Sequence, residues 1–193
     1  DGAKAAETLV ARSKWARIRS RIGELEGAIA LQEELVRDEV DVFGESHPFT
    51  LAAMGDLANS YILNGDQVRA VPILEEVVRI REQRDGAAPS GTLTAKSSLA
   101  VALASLGDER ALDIRKEGYE VRRKTLGPDH PEALKAQLAL SRYLRQAGEG
   151  EQAKVLLLDL HARSVRVLVD DDLVLHEATA ELGMALIGLG ETQ

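Results

Sequence analysis

The chain has 193 residues, a formal net charge of −8 and no cysteine. This excludes disulfides and thiolate chemistry, fits a reducing cytoplasm, and argues against a general nucleic-acid binder, which needs a basic field to displace counterions from phosphates. Aromatics make up 3% of residues while Ala and Leu dominate, as in helices that pack closely through small side chains.

Five Gly-acidic pairs punctuate the chain: Gly23-Glu24, Gly65-Asp66, Gly107-Asp108, Gly148-Glu149 and Gly190-Glu191. Their spacings are 42, 42, 41 and 42 residues. Upstream of each pair, Trp15, Leu57, Leu99, Leu140 and Leu182 hold one bulky position, followed by the small residues Ala16, Ala58, Ala100, Ser141 and Gly183. Downstream, Ala28, Ala70, Ala111 and Ala153 match one another, and a residue lost between Gly107 and Ala111 explains the shorter step. A fixed period of this length marks a stack of supersecondary units, none of which buries its apolar face alone.

Each unit reads as two helices. In the second, Leu51, Met54, Leu57, Ala58, Tyr61 and Ile62 recur at spacings of three and four, one helical face. Gly65 ends that helix where positive φ is free of steric cost, and Asp66 is placed to cap the next. The second helix carries Ala70, Ile73, Leu74, Val77, Val78 and Ile80. Pro72, in its early part, either kinks it or delays its start. Further on, Phe43-Gly44-Glu45-Ser46-His47-Pro48 returns as Leu126-Gly127-Pro128-Asp129-His130-Pro131, and Pro suits the first helical turn. Trp15, at the bulky position of the first unit, is expected in the core. The stretch from Val155 to Val169 is broken by Asp159, His161, Arg163 and Arg166, too polar to span a bilayer, and no signal-peptide pattern opens the chain. The last helix, through Leu182, Leu186 and Leu189, has an apolar face with no following partner. Because terminal repeats need a polar cap, this end is expected either to be cut from a continuing array or to cover itself by self-association.

The bulky-small pair Leu57-Ala58 with Tyr61, Gly65 and Ala70 resembles the tetratricopeptide repeat. The 42-residue period and the linker Leu126-Gly127-Pro128-Asp129-His130-Pro131-Glu132-Ala133-Leu134 are similar to the kinesin light chain branch, also common in bacterial multidomain signalling proteins. The resemblance implies an all-α fold, a right-handed superhelical solenoid of antiparallel helix pairs over residues 1–193. Its units are about 1–42, 43–84, 85–125, 126–167 and a half unit 168–193. Gly55-Asp56, Ser97-Ser98 and Leu138-Ala139 stand where that branch usually has paired Asn. The linker Asp85–Ser90 lacks its His, and Val169–Asp172 lacks both His and Pro. An Ala-, Arg- and Gly-rich chain opening on Asp is expected to be a piece of a longer bacterial protein.

The resemblance also implies a ligand site, since first helices of this family line the concave face. Its rule transfers to Arg17, Arg21, Asn59, Ile62, Leu63, Val101, Leu138, Arg142, Arg145 and Gln146. Positive charge gathers on the first helices of units one and four. Carboxylates gather on the presumed outer helix of unit one, among them Glu33, Glu34, Asp38 and Glu39. The groove is therefore expected to receive a peptide or protein segment, acidic and partly apolar. Arg17, Arg142 and Arg145 would meet its carboxylates, Asn59 would bond its backbone, and Ile62, Leu63 and Val101 would take its apolar side chains. The plainer reading pairs these arginines with neighbouring carboxylates, at about 0–1 kcal/mol each.

Catalytic patterns are lacking. No two of His47, His130, His161 and His176 have the i, i+4 spacing of helix-borne zinc ligands, and His47 and His130 read as linker hydrogen-bonding groups. Asp170-Asp171-Asp172 lacks a calcium loop's spacing, and Asp172 reads as an N-cap. With no phosphate loop or nucleophile elbow, the chain is expected to need no cofactor, to be no enzyme, and to bind neither nucleic acid nor membrane. A protein-binding module is the first reading; a regulatory arm acting in cis on a signalling ATPase is the second.

Overall fold

A computed structural model of the chain describes residues 2–87, 89–167 and 173–190, with side chains from Thr8 onward. Among them are nine α-helices and no strand. They are α1 (Gly2–Arg21), α2 (Leu25–Phe43), α3 (Pro48–Leu63), α4 (Gln67–Asp85), α5 (Ser90–Ser105), α6 (Arg110–Leu126), α7 (Pro131–Gln146), α8 (Gly150–Val167) and α9 (Leu173–Gly188). The Asp170–Asp172 run and its expected cap lie outside the described residues.

The turn chemistry works as the residues require. Gly23, Gly65, Gly107 and Gly148 end first helices with φ between 72° and 88°. Asp66 caps α4 by accepting a hydrogen bond from the Arg69 N–H at 3.2 Å. His47 and His130 cap α3 and α7 through Nδ1, accepting from the N–H groups of Phe49 (3.3 Å) and Glu132 (3.1 Å), each with Pro in the first helical turn. Phe43 and Phe49 close on the His47 ring, with centroids 4.7 and 5.1 Å away. Pro72 neither ends nor delays its helix: α4 runs unbroken from Gln67 to Asp85 with Pro72 inside it.

The helices form two compact units, residues 1–108 and 109–193, divided in the third repeat where the chain has lost a residue. In the first unit each helix packs on the next from α1 to α5, and in the second from α6 to α9. The small residues sit at the closest contacts: Ala16, Ala58, Ala100, Ala28, Ala70, Ala111, Ala153 and Ser141 have no exposed surface. Leu51, Leu57, Leu74, Leu99 and Leu103 fill the first unit's core and Leu134, Leu140, Leu144, Leu157 and Leu160 the second's. Each contributes about 1.5–3 kcal/mol relative to exposure. A polar link joins three helices of the first unit: Tyr61 on α3 donates to Glu33 on α2, and Arg69 on α4 lies over the Tyr61 ring at 4.3 Å. Burial, then the bond to Glu33, pushes the Tyr61 hydroxyl up to about 12.

Three expectations are corrected. Trp15 is 56% exposed, because α1 has helices on one side only among the described residues, whereas α3 lies between α2 and α4. Leu138 belongs to the core of the second unit rather than to an open face. Glu39 is not on the outside: it is buried, with one carboxylate oxygen lacking any hydrogen-bond partner among the described residues.

Candidate partner-binding surface

First helices touch one another, α1 with α3 and α3 with α5 in the first unit and α7 with α9 in the second, while no comparable contact joins second helices among the described residues. In each unit the first helices therefore crowd together and present one shared side. On α3, flanked by α2 and α4, the residues left to solvent beyond the first turn are Ala52, Asn59 and Leu63, with Ile62 half-buried at their edge. On α5, Val101 and Ser105 are exposed. Asn59, Leu63 and Val101 thus stand open to a ligand. Arg21 is exposed on α1 and forms no salt bridge among the described residues.

The other arginines named from the sequence already have partners. Arg17 Nε on α1 lies 3.7 Å from the carboxylate of Asp56 on α3. In the second unit, Arg142 and Arg145 on α7 converge on Glu181 of α9, with Nε–O distances of 2.6 and 2.9 Å, and Arg142 reaches Glu177 at 3.4 Å. Gln146, one residue on, is exposed. Arg17–Asp56 and Arg142–Glu181 are one interaction in the same register three repeats apart. An Arg two places after the bulky residue meets a carboxylate one place before the next bulky residue. Asp56 and Glu181 escaped sequence reasoning. Their signal was there: an acid before the bulky position appears only after a unit that carries Arg at the facing one.

The two links differ electrostatically. At Glu181, burial alone would raise the pKa, but the hydrogen bonds from Arg142 and Arg145 outweigh it and hold the carboxyl below its usual range. At Asp56, burial raises the carboxyl and Arg17, at its longer distance, only partly offsets this. Glu39 is raised by burial first and by the nearby Asp56 second. In the first unit one guanidinium lies at long range from a single carboxylate, Asp56, which in turn raises Glu39; in the second, two guanidiniums hold Glu181.

The comparisons with known proteins carry the same repeat. Models of the tetratricopeptide repeat match residues 6–83 and 92–132, together well over half of the sequence. The chain belongs to the tetratricopeptide repeat family. The nearly identical TPR-like repeats of a Podosopora anserina protein described as a putative kinesin light chain share 27% identity with it, at a TM-score of 0.86, over 96% of this chain and 89% of that one. A point variant of that protein gives 0.87, again at 27% identity, over 96% and 88%. BtubC (BKLC) from P. vanneervenii, at 16% identity and a TM-score of 0.80 over 98% and 83%, shares the fold. Among curated proteins none matches the sequence. The repeat family is a general class of protein-interaction scaffold. Among the described residues no helix is long and apolar enough to cross a membrane, and no group of three or more His, Asp or Glu is placed to hold a metal.

Proposed function

We propose that this tetratricopeptide-repeat chain is a cytoplasmic protein-interaction module whose first-helix faces hold a peptide or protein segment. The observation that carries this reading is the exposed row on α3 and α5, where Asn59, Leu63 and Val101 face solvent on helices otherwise closely packed. Asn59 would bond the ligand backbone, and Leu63, Val101 and the edge of Ile62 would take apolar side chains. Carboxylates on the ligand would meet Arg21 directly and would compete with Asp56 for Arg17. On the second unit, taken by itself, an acidic segment would meet Arg142 and Arg145 by exchange with Glu177 and Glu181, beside Gln146. Complementary charge of this kind sets on-rate and specificity more than affinity. The apolar side of α9, where Met184 and Ile187 are exposed, supports self-association at the end of the second unit.

The test is affinity capture of the partner, followed by binding of the Asn59→Ala/Leu63→Asp double variant, both positions being exposed. Binding should fall at least several-fold with helicity unchanged, and should weaken with salt. Equal capture by the double variant sinks the surface, and indifference to salt and to Arg21→Glu removes the acidic ligand.

A further inference from the structure

We infer that Asp56 is an internal competitor on the first unit, holding Arg17 in place of a ligand carboxylate and surrendering it to an acidic segment. The inference rests on the first-helix face being the ligand surface. Arg17 and Arg21 lie two and six places after the bulky residue of α1. The same places hold Asn59 and Leu63 in α3, and Val101 and Ser105 in α5. All six residues are exposed, although α3 has α1 on one side and α5 on the other. These places therefore stay open wherever first helices stand in a row. The exposure of Arg17 and Arg21 belongs to their register and not to the position of α1 at the start of the sequence.

Of the two equivalent Arg–carboxylate links, this one is loose. Arg17 Nε stands 3.7 Å from Asp56, beyond hydrogen-bond reach, and the Arg17 side chain is 55% exposed. Arg142 and Arg145 instead donate to Glu181 at 2.6 and 2.9 Å, and the Glu181 side chain is only 5% exposed. The carboxylates differ in the same sense. Glu181 is held below its usual range by its two arginines, so its charge is stabilised where it lies. Asp56 is raised by burial more than Arg17 lowers it. Beside it Glu39, buried and with one oxygen lacking a hydrogen-bond partner among the described residues, is raised in turn by the Asp56 charge. A ligand carboxylate can approach Arg17 from solvent at hydrogen-bond distance. Arg21, one turn further on and in no salt bridge among the described residues, can take a second. Asp56, once released, keeps access to water, its side chain being 29% exposed. Glu181 would be left buried and unpaired, which is costly. Acidic segments are therefore drawn to Arg17 and Arg21 before Arg142 and Arg145, and Asp56 sets how strongly.

The probe is a synthetic peptide of alternating Glu and Leu, with a peptide of alternating Gln and Leu as its neutral control. The parent chain should prefer the acidic peptide, and Arg17→Gln/Arg21→Gln should remove most of that preference. Asp56→Asn should bind the acidic peptide several-fold more tightly and the neutral one unchanged. Adding Arg17→Gln should abolish the gain, which assigns it to this pair of residues. Asp41→Asn removes an exposed charge on α2 and should give no gain, which separates the effect from net charge. Because burial disfavours the Asp56 charge, Asp56→Asn should melt at or above the parent's temperature. A preference that survives Arg17→Gln/Arg21→Gln overturns the inference, as does an Asp56→Asn affinity equal to the parent's. So does a gain shared by the neutral peptide, a melting temperature well below the parent's, or no binding of either peptide. Leu63→Ala, which changes no charge, keeps the two readings apart. A gain from Asp56→Asn that Leu63→Ala leaves untouched upholds the competitor and strikes the apolar row of the groove. Binding lost to Leu63→Ala without any gain from Asp56→Asn does the reverse.

Discussion

Single residues decide where the chain turns. Gly44, Gly86 and Gly127 close second helices with φ of 87–94° and ψ of 154–178°, a region essentially closed to residues with a Cβ. Gly44→Ala and Gly127→Ala should each cost about 1–3 kcal/mol in denaturant unfolding although no neighbouring atom obstructs the added methyl. Gly55, inside α3 with equally open space, should respond oppositely, gaining about 0.5–1 kcal/mol as Ala. Equal effects at the two kinds of site would disprove a backbone origin. Glu39 carries the other residue-scale prediction. Its folded pKa lies above the unfolded value, so ionisation as pH rises through that window lowers stability, and the loss persists at neutral pH. Glu39→Gln should raise the melting temperature at pH 7 and lose its advantage near pH 4, where Glu39 is itself protonated; Arg17 and Asp56 are the charged groups to watch as pH changes.

At the scale of helices, the links between neighbouring first helices carry charge. Glu181 ties α7 to α9 through two arginines and is itself only 4% exposed. Its folded pKa is depressed, so its contribution is present above the unfolded carboxylate range of about 4.3 and disappears as pH falls through the folded value. Glu181→Gln should destabilise the second unit at neutral pH by about 1–2 kcal/mol, less than for a fully buried pair because both arginines keep access to water. The difference from the parent chain should vanish at low pH; a gap unchanged on acidification would mean that packing rather than charge is at work. Helix boundaries were largely legible beforehand, since Gly, Asp and His-Pro each act on adjacent backbone. Pairing between helices was not, because Arg17 and Asp56 are neighbours only once α1 lies beside α3. Trp15 failed for the same reason: periodicity tells which side chains share a face but not whether another helix covers it.

For the whole molecule, the division into two compact units predicts uneven unfolding. Repeat stacks are held by nearest-neighbour contacts, so damage stays local. Ala58→Leu or Ala70→Leu places a larger side chain where there is no exposed surface and should cost about 1–3 kcal/mol. Amide exchange should then accelerate in α2–α4 while α7 and α8 keep their protection. Uniform acceleration along the chain would refute two separable units. The sequence by itself determined the period, the paired helices, the glycine turns, the His caps and the small-residue contacts, all set by local sterics or by one repeating face. Only the tertiary structure decided which of those faces are covered and which charges are already satisfied. Burial and ion pairing depend on which helix arrives opposite, as Trp15, Glu39 and Glu181 show in three different ways.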